Sequence, residues 1–115
     1  AYTLINDFKT WTFTDNKKQE HKVTIKPHIK SSAGEFLRDA AVCGHGIVYQ
    51  PTFIVYKEIE NGNLIPLLDK YNLWKINAYA IYPQTRHLSQ RVRAFVDFLV
   101  KRFEGTPYWD KCLNK

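Results

Sequence analysis

Cys43 and His45 stand one residue apart, with Gly44 between them, and so raise the first question of chemistry. A thiol beside an imidazole is the beginning of a nucleophile–base pair. That pair needs the base within hydrogen-bond reach and a third group to orient it. Residues this close along a chain seldom face each other, and no orienting carboxylate is read beside them. Cys43 is instead expected as a small apolar residue at the end of a helical stripe. No catalytic residue is assigned. His21, His28, His45 and His87 match none of the zinc-site spacings, so no metal ligand is assigned either. Gly44-His45-Gly46 has part of the look of a phosphate-cradling loop. It follows a helical pattern and precedes a strand-like one, the reverse of the dinucleotide fingerprint. Its glycines are expected to reverse the chain, and no cofactor is implied.

Two short segments carry a different chemistry. Ser31 and Ser32 follow a strand-like stretch and open a helical one. Hydroxyls and free backbone N–H groups then meet at a helix N-terminus, where anions bind readily. Gln50-Pro51-Thr52 repeats this layout at the next junction. If the strands are neighbours, both junctions face one crevice and form a ligand wall. Plain helix capping is the competing account of the same residues.

These segments need elements to hold them. Tyr2–Ile5, Trp11–Phe13 and Lys22–Lys26 alternate as strands, with a polar turn across Asp15–Glu20. Ser32 and Glu35 have the spacing of a capping box ahead of a stripe of Phe36, Leu37, Ala40 and Ala41. Ile47–Tyr49 reads as a buried strand, and Pro51 suits the first turn of a helix over Phe53–Ile59. Leu64–Leu68 reads as an edge strand because of Pro66, and Asn77–Tyr82 as a clear strand. Val92, Phe95, Val96, Leu99 and Phe103 recur at helical steps, so Ser89–Phe103 reads as the strongest helix. The order predicts an α/β layer with a largely parallel centre.

A chain of 115 residues with 44% hydrophobic content fits one domain. Its net charge of +6 is scattered rather than gathered into a nucleic-acid footprint. Two distant cysteines build no disulfide framework, so a reduced, cytoplasmic setting is expected. No apolar run approaches the ~20 residues of a membrane span. The strand-like start, with no secretory pattern, is read as a boundary within a larger protein.

Longer motifs join these parts. Asp39–Pro51 (DAAVCGHGIVYQP) resembles the "aal-x-G-x-GI-x-x-x-P" signature of LysR-type transcriptional regulators. Asn61–Leu68, Ile81–Ser89 and Arg91–Leu99 resemble that family's "x-G-x-L-v-x-lL", "vYP-x-x-r-x-ls" and "kvRaFvdfL". Trp11-Thr12-Phe13 falls where many members carry "W-x-F". The motifs keep family order and cover nearly the whole chain.

The resemblance implies a periplasmic-binding-protein-like effector domain, with two α/β lobes around an interlobe cleft. Residues 1–76 would be the second lobe, a Rossmann-like mixed sheet flanked by helices. Residues 77–115 would be the return crossover strand and the C-terminal helix. Ile29, Lys30, Ser31 and Ser32 would line the cleft, facing a second wall of Gln50, Pro51 and Thr52. Many members carry Asn at or near Ser31, so contact chemistry is expected to differ there. Lys30 would pair with an anionic effector. The implied partners are that small molecule and further copies of the chain, with no membrane. DNA would be reached only through a helix-turn-helix absent from this sequence. The alternative of like fold is a lobe of a solute-binding protein. The stripe of the terminal helix carries five apolar side chains, each contributing ~1.5–3 kcal/mol on burial as an upper range. It is expected to fold back onto the chain or to dock on another copy.

Overall fold

The computed structural model describes residues 1–71, 77–82 and 89–113. Its order is β1 (Thr10–Thr14), β2 (Glu20–Thr24), α1 (Gly34–Val42), α2 (Thr52–Glu60), α3 (Gln90–Arg102) and a terminal 3-10 helix (Tyr108–Leu113).

The hairpin comes first. In β1 the threonines alternate with Trp11 and Phe13, so one face is hydroxyl and the other aromatic. β1 and β2 pair antiparallel, with Thr10 opposite Thr24 and Thr14 opposite Glu20. Asp15 fixes the turn. Its Oδ1 accepts from the backbone N–H of Lys17 at 2.8 Å and of Gln19 at 2.9 Å. Lys18 takes the left-handed backbone the reversal needs, at φ 63°. The Gln19 N–H, and then His21 with Nε2 at 3.1 Å from Oδ2, hold the Asp15 carboxyl below its ordinary range. Phe13 is buried beside Tyr49, and Trp11 packs on that same ring at 5.4 Å.

The helices form a second centre. Leu37 of α1 is only 4% exposed, and Val55 of α2 is also buried. The helices meet at Gly34, which has no side chain to hold them apart. A Cβ there would stand 2.6 Å from Ile54 Cδ1. The terminal 3-10 helix covers α2 from another side. Cys112 is 5% exposed, Tyr108 meets Tyr56 at 5.6 Å, and Trp109 meets Phe53 at 6.3 Å.

The α/β mixture stands, but no largely parallel sheet forms among the described residues. The sheet seen among the described residues is the antiparallel hairpin. Tyr2–Ile5 contributes one isolated parallel bridge, from Tyr2 to Ser31. Ile47–Tyr49, Leu64–Leu68 and Asn77–Tyr82 are irregular. A strand is held by ladder bonds to a neighbour, and among the described residues these segments have no strand alongside. Ile81 is accordingly 94% exposed. Leu68, at φ 63°, also leaves the extended region. The second hairpin strand runs over Glu20–Thr24 rather than Lys22–Lys26, because the tight turn starts pairing at Glu20.

The helix boundaries shift slightly. Ala33, not Ser32, is the N-cap of α1, and no side chain caps it. The expected capping box is replaced by Ser31 Oγ, which accepts from the Ala33 N–H at 3.0 Å. Pro51 sits at the N-cap of α2, one residue earlier than its expected place in the first turn. Gly44 at φ 81°, Gly46 at φ 128° and Gly62 at φ 77° close α1 and α2 as their positions suggested. Ser89 caps α3 through its Oγ, which accepts from the Val92 N–H at 3.3 Å. Among the described residues α3 buries no residue and touches the terminal 3-10 helix just at its C-terminal end, through Arg102 and Phe103, so most of its stripe does not fold back. His87 and the middle of the Ile81–Ser89 motif lie outside the described residues.

Candidate functional site

Ser31 anchors the first junction. Its backbone N–H donates to Ala1 O at 3.1 Å, and its carbonyl accepts from Thr3 at 3.0 Å. The hydroxyl is committed to the Ala33 N–H. Ser32 is exposed, ahead of the first helical residue. Ile29 is half-buried, and its carbonyl accepts from the Ala1 amine. Burial and then the Lys30 charge lower that amine's pKa. Lys30 is exposed and leans over Phe8, with Nζ 5.8 Å from the ring centre.

Gln50, at the second junction, lies beside Gly34. Its Oε1 lies 3.1 Å from the place a Gly34 Cβ would occupy, at the start of α1. Its Nε2 is buried and has no hydrogen-bond partner among the described residues. A buried amide donor without a partner is costly. Pro51 has extended backbone and sets the entry of α2. The Thr52 hydroxyl donates to the carboxylate of Asp110. Gln50 thus lies against the first turn of α1, while Thr52 turns to the terminal 3-10 helix.

Two hollows accompany this arrangement. One, of about 380 Å³, runs over the hydroxyl face of β1, with Asp7, Glu20 and Tyr49 on its walls. The other, of about 280 Å³, is mainly apolar and is lined by Ile29, Phe36, Asp39, Ala40, Cys43 and His45. Cys43 is exposed rather than a core residue, because α1 ends at Val42 and leaves it on the turn. Asp39 shares the hollow, yet its carboxylate pairs with the Arg38 guanidinium at 2.8 Å. No hydrogen bond joins Cys43 to His45 among the described residues. The nucleophile–base geometry is therefore not assembled. Among the described residues no group of three or more His, Cys, Asp or Glu could hold a metal ion. No described helix is long and apolar enough to cross a membrane.

Asp110 escaped the sequence reading. Its signal was present in Tyr108-Trp109, an aromatic pair beyond the Gly105–Pro107 turn. Such a pair needs something to pack on.

With this geometry in place, the comparison with known proteins decides the family. A profile described as the LysR substrate binding domain matches residues 1–104. The chain belongs to the LysR substrate-binding domain family. It is 35% identical over 102 residues to the HTH-type transcriptional regulator CrgA of Neisseria meningitidis, covering 88% of this chain and 33% of that protein. It is 32% identical over 110 residues to the HTH-type transcriptional regulator PtxR of Pseudomonas aeruginosa, covering 94% of this chain and 34% of that protein. The HTH-type transcriptional activator TtdR of Escherichia coli is 29% identical over 84 residues, covering 73% of this chain and 27% of that protein. The chain therefore spans about a third of the length of these relatives. No solved structure matches.

Proposed function

We propose that this LysR-family domain forms the second lobe of a small-molecule sensor that controls transcription. Residues 1–76 are the lobe, and residues 77–115 supply the return strand and C-terminal helix. The effector occupies the cleft against a wall of Ile29, Lys30, Ser31, Ser32, Gln50, Pro51 and Thr52. The role is binding rather than catalysis. In the two-lobed protein, Ile47–Tyr49, Leu64–Leu68 and Asn77–Tyr82 gain the strand neighbours that complete a mixed sheet. The stripe of α3 then packs on the other lobe or on another copy. DNA contacts come from a helix-turn-helix elsewhere in a cytoplasmic parent regulator, as the names of the relatives suggest. Closure around the effector shifts the regulator between states, which requires the effector to bind one of them more tightly.

The observation that carries this reading is the buried, unpartnered Gln50 amide at the start of α1. It is a donor held ready where the two junctions meet. A thermal-shift screen of metabolites on the parent regulator supplies the effector. Gln50→Ala is expected to weaken that effector about tenfold, the loss of one well-formed polar contact. Unchanged affinity would remove Gln50 from the wall. Lys30→Ala tests the acidic-effector idea in the same titration. Equal affinity there would take Lys30 out of the site.

A further inference from the structure

Thr52 opens α2, and the carboxylate it meets belongs to the far end of the chain. The contact is held in a packed setting. Thr52 and Asp110 are both half-buried, and the neighbouring Cys112 is buried. Trp109 lies between Phe53 at 6.3 Å and Phe103 at 5.5 Å. Arg102 covers the Tyr108 ring at 5.4 Å. The terminal 3-10 helix is thus fastened on each side of Asp110.

The chemistry follows from the two groups. A hydroxyl offers one donor and two acceptor lone pairs. With its proton committed to Asp110, Thr52 has only acceptor capacity left. An N-terminal helix end favours one negative charge and places it close to the backbone donors. Asp110 already provides that charge. A second anion at the same place meets like-charge repulsion.

We infer that Asp110 is a specificity-determining residue of the effector wall, which makes the Thr52 junction refuse carboxylate and phosphate groups and accept effectors that present N–H or ammonium donors. The inference rests on the reading that Gln50–Thr52 lines the cleft. Away from Thr52, Lys30 is the wall residue whose charge suits an acidic group.

The test uses the full chain with two simple probes, inorganic phosphate and methylammonium, at constant ionic strength. Backbone amide shifts of Thr52 and Phe53 report the α2 junction, and those of Ser31 and Ser32 report the α1 junction. Asp110→Asn keeps an acceptor for Thr52 and removes the charge. It is expected to strengthen phosphate at Thr52 and Phe53 about tenfold and to weaken methylammonium by a similar factor. Equal phosphate binding by both proteins, seen at Thr52 and Phe53, would overturn the role of Asp110 while leaving the wall intact. Probe shifts confined to Ser31 and Ser32 in both proteins would instead remove the α2 junction from the wall. Silence at both junctions in both proteins would reject the wall reading itself. Thr52→Val supplies a second measure if Asp110→Asn fails to fold. It retains the charge and removes the acceptor. Phosphate should still be refused and methylammonium weakened, and unchanged methylammonium binding would refute the inference.

Discussion

α2 and α3 are both amphipathic helices, yet among the described residues α2 alone is packed along its length against other elements. α2 buries Val55, with α1 on one side and the terminal 3-10 helix on another. α3 has the clearer helical spacing and the better N-cap, and it buries nothing. Its Phe98 is 59% exposed. The contrast separates two causes that sequence patterns blend. Local signals decide whether a helix exists, because capping and propensity act within the segment. Burial depends on what lies alongside, which no single segment specifies. α3 shows a helix that forms with most of its apolar stripe uncovered among the described residues.

Disrupting the packed side should have the largest effect. Leu37→Ala leaves a cavity between α1 and α2 and is expected to cost about 2–5 kcal/mol in urea unfolding. A loss well under that range would mean that the helix pair is loosely packed. Ser89→Ala removes the α3 cap and should cost that helix about 1 kcal/mol. Amide exchange should quicken within α3 and stay unchanged in α1 and α2. Faster exchange in all three would show that α3 is coupled to the packed centre after all.

The hairpin gives a smaller, pH-dependent effect. The folded-state pKa of Asp15 is lowered, first by the Gln19 N–H and then by His21. Its contribution is present above the ordinary value of 3.8 and is lost as pH falls through the lower folded value. The Lys17 and Gln19 amides should therefore lose exchange protection below about that pH in the native protein, and Asp15→Asn should flatten the transition. An unaltered acid profile in Asp15→Asn would rule out this carboxylate as its source. The least effect is expected at Phe98→Ala, within about 0.5 kcal/mol of wild type, as for surface positions. A loss of several kcal/mol would show α3 buried in solution, and its dependence on protein concentration would identify a second copy as the cover.

The sequence disclosed the local features well. Gly44 and Gly62 follow helix ends because their positive φ suits a residue without Cβ. Ser89 caps α3 because its hydroxyl meets a free N–H. Trp11–Phe13 is a strand because alternation and β-branching agree. The long-range features stayed hidden. Ile47–Tyr49 and Asn77–Tyr82 have strand composition, but a ladder requires a partner that composition cannot supply. For the candidate wall, the sequence pointed to Ser31, Ser32, Gln50, Pro51 and Thr52 through their places at helix starts, and to Ile29 and Lys30 through the family resemblance. It did not indicate that the Ser31 hydroxyl would serve Ala33. Nor did it pair Thr52 with Asp110, because 58 residues separate a donor from an acceptor that only folding brings together.

The two thiols also divide the molecule in a useful way. Cys112 is buried within the terminal 3-10 helix, whereas Cys43 stands open at the end of α1. A maleimide dye or spin label would therefore go to one place without any engineered cysteine. From there it would report, at the edge of the apolar hollow around Ile29 and His45, on whatever next touches that face.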